Sequence, residues 1–146
     1  MRRQLGPDVP LVWGDQSRLE QVFLNLLLNA RSALHASSRA PKELHLRTCR
    51  VQHSEFGEAV QVEVRDSGVG IPSSMLHQVF QPFFTTKEAG KGTGLGLSIS
   101  RSIVEEHRGR IEVESTVGEG TTFRILLPTQ PASRREASAS PASRRL

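Results

Sequence analysis

Gly90-Lys91-Gly92-Thr93-Gly94-Leu95-Gly96-Leu97 sets a glycine at every second position and runs straight into an apolar helical pattern. Glycine serves where a backbone must take positive φ or come close to a ligand. A helix N-terminus presents unpaired N–H groups and the positive end of the macrodipole. A glycine-rich loop opening a helix is therefore suited to cradling phosphates. The same composition also makes a plain flexible connector. The stretch alone leaves both readings open, and the rest of the chain has to decide between them.

A length of 146 residues, 36% hydrophobic and 23% charged, fits one globular domain with a real core. No apolar run approaches the roughly 20 residues that span a bilayer. The most apolar stretch, Val22 to Ala30, is broken by Asn25 and Asn29. No signal-peptide core follows Met1-Arg2-Arg3. A lone Cys49 allows no internal disulfide and suits a reducing, cytoplasmic compartment. With no CxxC and no clustered histidines, no zinc site is expected. The net charge of +4 resides mostly in the last residues, where Arg134, Arg135, Arg144 and Arg145 face Glu136 alone. That leaves residues 1–130 at +1 and without a basic face for nucleic acid.

Working outward, the spacing predicts a helix over 95–107, with Leu95, Ile99, Ile103 and Val104 apolar and Gly109 as its stop. Strands are expected at 111–113 and 123–127 around Gly118-Glu119-Gly120. Residues 81–92 have no period and read as a long loop, and 75–80 as a short helix behind Pro72. Val60, Val62 and Val64 alternate with polar residues, as in a half-buried strand, and 43–51 reads as another. A first long helix runs from an N-cap at Asp15 or Ser17 to about residue 35. Its face is Leu19, Val22, Phe23, Leu26, Ala30 and Ala33. Residues 9–13 are expected as a short opening strand, residues 1–8 as the remnant of an upstream linker, and 9–130 as the domain. The tail 131–146, which repeats Pro-Ala-Ser-Arg-Arg, is expected to be disordered. This order suits helices layered on one face of a mixed sheet.

Two polar constellations interrupt the apolar pattern. Asn25 and Asn29 lie four apart on one helical flank, with Asn29 inside the apolar stripe. Buried amides most often cap nearby backbone groups. The functional alternative is an Asn29 carbonyl oxygen on Mg²⁺, which takes oxygen ligands and keeps several waters. Asp66, in Asp66-Ser67-Gly68-Val69-Gly70-Ile71-Pro72, continues the face of Val60, Val62 and Val64 and so points toward the core. Either it caps its own turn, or it accepts a hydrogen bond from the exocyclic amine of a base, for which adenine has the right donor. Phe80, Phe83 and Phe84 surround the long loop and are costly to expose. They either anchor a lid or belong to the core. Lys87 either meets phosphate or stays solvated.

Taken together and in order, these residues resemble the catalytic, ATP-binding domain of sensor histidine kinases, within the superfamily of gyrase, heat-shock chaperone and mismatch-repair ATPases. Asn25-Leu26-Leu27-Leu28-Asn29-Ala30 resembles its N box, and Asp66-x-Gly68-x-Gly70-Ile71 its first glycine box. Phe80 to Lys87 resembles its F box, and Gly92-Thr93-Gly94-Leu95-Gly96-Leu97 its second glycine box. The Pro82-Phe83-Phe84-Thr85-Thr86-Lys87 lid is most similar to nitrogen-regulator-type kinases. The match covers residues 9–128, and four ordered motifs are far more specific than one.

The resemblance implies an α+β, two-layer α/β sandwich of the Bergerat type, with helices on one face of a mixed, mostly antiparallel sheet. It implies that Asp66 binds the adenine amine, with Thr121 or Thr122 in support. Asn29 would ligate Mg²⁺ beside Asn25, and Gly92, Gly94 and Gly96 would wrap the phosphates of ATP. Residues 81–93 would be the ATP lid. Gly68, Gly70, Ile71, Phe83, Lys87, Thr93, Leu95 and Leu97 complete the nucleotide-binding set, and Arg31 or Ser32 would approach phosphate.

Where the superfamily's ATPases carry a glutamate as general base, four residues before the magnesium-binding Asn, this chain has Asn25. An amide cannot take a proton, so slow hydrolysis is expected and no general base is assigned. Glu20 lies on the wrong side of the helix to substitute. His35, His45, His53, His77 and His107 lack the setting of a phosphoacceptor. The partner is therefore expected to be a dimerisation domain carrying that histidine, in cis upstream or in trans, with a response regulator served indirectly. The competing readings are a nucleotide-binding regulatory module without transfer, and an interaction domain working through its arginine tail.

Overall fold

The computed structural model describes residues 1–85 and 92–129, and the expected tail, Lys87 and the middle of the expected lid lie outside them. The elements run β1 (Arg2–Leu5), α1 (Gln16–Ala36), β2 (Leu44–His53), β3 (Gly57–Asp66), a single 3-10 turn (Ser73–Met75), α2 (Gly96–Glu106), β4 (Arg110–Thr116) and β5 (Gly120–Pro128). The five strands form one sheet in the order β1-β2-β3-β5-β4. Only the β1–β2 pair is parallel. Both helices pack on one face, as the α+β sandwich expected.

The helix α1 starts where Asp15 accepts the Arg18 backbone N–H at 3.1 Å. Asp15 is thus the cap, and Ser17 belongs to the first turn. Its buried residues Leu19, Val22, Leu26 and Ala30 recur every three or four positions. Leu19, Val22 and Leu26 meet Val64, Phe123, Ile125 and Leu127 from the sheet and Ile103 and Val104 from α2 in one core. On the opposite face of the sheet Arg124 pairs with Glu63 at 3.2 Å and Glu114 at 2.6 Å.

Three local expectations need correction. The opening strand is Arg2–Leu5, not 9–13, and so the segment expected as linker remnant joins the sheet. Pro10 cannot donate to a ladder, and Leu11 stands 92% exposed. All four residues of β1 face solvent, so no apolar pattern announces it. The short helix expected at 75–80 is the 3-10 turn followed by successive turns, with Met75 N–H bonded to the Pro72 carbonyl and Gln78 N–H to that of Met75. In α2 the stripe is rotated: Ser100 is fully buried and Ile99 is 39% exposed. Ser100 is inward because its hydroxyl meets an amide from α1.

Candidate functional site

Beside α1 lies a cavity of about 880 Å³. One wall is the α1 flank from Asn25 through Asn29, Ser32 and Ala33 to Ala36. That flank is about 16 Å long at 1.5 Å per residue, enough for an extended nucleoside polyphosphate. The ends of β3 and β5 supply Asp66, Thr121 and Phe123, and the β3 exit loop supplies Val69, Gly70 and Ile71. Val79, Phe84 and Thr85 close one side, and the approach to α2 contributes Gly92, Thr93, Gly94, Gly96 and Leu97.

The two ends of the cavity differ in chemistry. At one end Asp66 is 4% exposed. Burial pushes its carboxyl above the ordinary value of 3.8, while hydrogen bonds from the Gly68 and Thr121 backbone N–H groups draw it back. The Gly68 N–H reaches Oδ1 at 2.8 Å. Val69, Ile71, Val79 and Phe123 give this end an apolar lining. At the other end, α2 begins at Gly96. Among the described residues its first N–H groups and dipole carry no side-chain cap and no acidic residue in the first turn, the arrangement that favours an anion.

Asn25 ties the helices together. Its Nδ2 donates to the Gly96 carbonyl at 3.1 Å and to Ser100 Oγ at 3.2 Å. The Asn29 side chain, one turn on, lines the cavity and has no hydrogen bond among the described residues. Among the described residues Asp66 is the only carboxylate lining the cavity. Glu20 is instead bonded to Gln16 on the outside.

The glycine-rich loops are held by backbone contacts. Gly70 has φ 72°, and a Cβ there would lie 2.1 Å from the Thr116 carbonyl oxygen. Gly94 has φ 68°, and its Cβ would meet the Phe83 carbonyl carbon at 2.5 Å. No L-side chain fits either position. Gly70 thus seats the first glycine loop on the β4–β5 hairpin, and Gly94 seats the second on the root of the expected lid.

Of the expected residues, the cavity brings together Asn25, Asn29, Asp66, Gly70, Ile71, Gly92, Thr93, Gly94, Gly96, Leu97 and Thr121. It does not include Gly68, Phe83, Leu95 or Thr122. Thr122 alternates with Thr121 along β5 and belongs to the other face. Phe83 is 74% exposed, and Phe84 lines the cavity in its place. Gly68 supports Asp66 from behind. Phe80 packs edge-on to Phe123 at 6.4 Å between ring centroids. Sequence reading passed over Ala33, Ala36, Val69, Val79 and Ser115. Ala33 and Ala36 follow Asn29 at helical spacing, which was a usable signal. Ser115, which accepts the Ile71 N–H at 2.8 Å, gave none.

The sequence profile described as "Histidine kinase-, DNA gyrase B-, and HSP90-like ATPase" matches residues 14–131. The chain is 43% identical to the sensor kinase CckA of Brucella abortus over 133 residues, which is 84% of this chain and 14% of that protein. It is 41% identical to the sensory histidine kinase/phosphatase NtrB of Rhodobacter capsulatus, over 86% of this chain and 36% of that one. The fold is similar to the nucleotide-free catalytic domain of the histidine kinase ThkA, with a TM-score of 0.71 at 33% identity, covering 89% of this chain and 80% of that one. The chain thus spans 14% to 36% of the length of these two curated relatives. No helix among the described residues is long and apolar enough to cross a membrane.

Proposed function

Because the chain belongs to the family of histidine kinase-, DNA gyrase B- and HSP90-like ATPases, we propose that its cavity binds ATP and that the domain is the catalytic part of a two-component sensor histidine kinase. The observation that carries this reading is the polarity of one cavity: a buried acceptor, Asp66, at the apolar end and the uncapped start of α2 at the other. Adenine offers its amine to the first, and phosphates suit the second.

The γ-phosphoryl group would pass to a histidine on a dimerisation domain, and from there to a response regulator. The cavity lining supports transfer over hydrolysis, because Asn25 spends its amide on α2 and cannot activate water. An imidazole is itself the nucleophile, so positioning and electrostatics suffice. ATP and the lone Cys49 suit the cytoplasm.

Magnesium fits as an ion shared with the phosphates rather than caged by protein. No cluster of three His, Cys, Asp or Glu exists among the described residues, and among them the Asn29 side chain, with its amide oxygen, has no hydrogen-bond partner. Asn29 would hold it, and the ion would neutralise phosphate charge. Lys87 remains part of the proposed site as a phosphate contact.

Calorimetric titration with ATP, with and without Mg²⁺, tests the site. Binding in the micromolar to submillimolar range, tighter with Mg²⁺ and selective for adenine over guanine, is expected. Absence of binding overturns the proposal. Phosphate transfer to an added dimerisation helix separates a kinase from a regulatory module, which would bind without transfer. Asn29→Asp should alter the Mg²⁺ dependence, and an unchanged dependence removes Asn29 as ligand.

A further inference from the structure

Ser115 does not line the cavity, yet its hydroxyl is saturated directly behind the wall. It donates to the Gly120 carbonyl at 2.8 Å. It accepts the Ile71 N–H at 2.8 Å. It also lies 2.8 Å from Thr121 Oγ1. A hydroxyl has one proton and two acceptor positions. The Ser115 proton goes to Gly120, because a carbonyl has none to give. The proton between Ser115 and Thr121 must then come from Thr121. The Thr121 hydroxyl is thereby turned away from the cavity that Thr121 lines, leaving it only lone pairs to present there. Its neighbour across the ladder is Asp66, which when ionised also only accepts.

We infer that Ser115 is a positioning residue that sets base selectivity by holding the Thr121 proton, making the polar groups at the Asp66 end of the cavity an acceptor-only wall. The inference rests on the reading of this cavity as a nucleotide site. Adenine carries an amine with two N–H donors at C6, whereas hypoxanthine and guanine carry a carbonyl oxygen there. Facing the C6 substituent, an acceptor-only wall receives the amine and repels the oxygen. Without Ser115 the Thr121 hydroxyl can rotate and donate to that oxygen, so the wall loses part of its discrimination.

The test uses the full chain and the affinities of ADP and inosine 5′-diphosphate, which share sugar and phosphates, so their ratio reports the base alone. The wild-type chain should strongly favour ADP. Ser115→Ala should narrow the ratio about tenfold, largely by improving inosine diphosphate binding. Ser115→Thr, which keeps the hydroxyl, should restore it. Ser115→Cys fills the same space without a strong acceptor and should behave like Ser115→Ala, which covers the case in which the alanine variant does not fold. A ratio unchanged in the variant while both nucleotides weaken equally means that Ser115 merely braces Ile71, and overturns the inference. A wild-type chain that binds neither nucleotide overturns instead the nucleotide reading on which it rests.

Discussion

Asp66 combines two demands that oppose each other. As an acceptor for an amine it is strongest when ionised, yet burial raises its pKa above 3.8 and so favours the neutral form. A folded-state pKa above the unfolded one makes the ionised group a cost to the fold. Its contribution is most favourable below pH 3.8 and is lost as pH rises through the raised folded value. Asp66→Asn keeps an oxygen for the Gly68 N–H and removes the charge. Urea denaturation should therefore show the variant at least as stable as wild type at neutral pH, with the gap closing below pH 3.8. ATP affinity should nevertheless fall at least about tenfold, since charge-assisted hydrogen bonds are the stronger ones. Loss of stability together with binding would return Asp66 to a turn-capping role. Asp66 was legible because it extends the two-residue period of Val60, Val62 and Val64. Which of Thr121 and Thr122 lines the cavity was not legible until the pleat of β5 placed Thr121 there, and Ser115 was invisible because its contacts join the β4–β5 hairpin to Ile71, a segment distant in sequence.

The end of α2 shows how an element departs from its sequence signal. Gly109 was expected as the stop, and a reversal does occur there. The Arg108 N–H bonds the Glu105 carbonyl at 2.8 Å and the Gly109 N–H that of Val104 at 2.8 Å, a Schellman closure. The left-handed residue, however, is Arg108, with φ 55°. Gly109 is used for close approach instead, since a Cβ there would lie 2.3 Å from the Leu126 carbonyl oxygen. Arg108 is exposed and pays the strain of a non-glycine residue in that region. Arg108→Gly should stabilise the domain by about 1 kcal/mol, read as a rise in the urea midpoint at constant m-value. At the other end of the element, His107 donates from Nδ1 to the Ile103 carbonyl at 2.7 Å and accepts the Asp15 N–H on Nε2 at 2.9 Å. It is a packing histidine that locks the start of α1 to the end of α2.

In the whole molecule, the core that seats the cavity and the cavity itself share α1. Leu26 is fully buried beneath the flank that carries Asn25 and Asn29. Leu26→Ala should cost about 2–5 kcal/mol, a large share of the roughly 5–15 kcal/mol typical of a domain. Nucleotide at 100 times its Kd should return about 2.7 kcal/mol. Denaturation with and without ATP measures both, and absence of the ligand shift would argue against binding to the folded domain. What the sequence determined by itself was the apolar period of each long element, the caps and breakers, and four motifs in order, because these depend on local spacing along the chain. Those were enough for the two-layer sandwich and for most of the cavity lining. Tertiary structure decided the rest. It gave β1 its place, since four exposed residues carry no pattern and only the edge of β2 supplies their partners. It turned Ser100 inward to meet Asn25, put Phe84 rather than Phe83 on the cavity, and aimed the Thr121 proton at Ser115. Each of these depends on which groups satisfy one another's hydrogen bonds across the fold, a condition no local window contains.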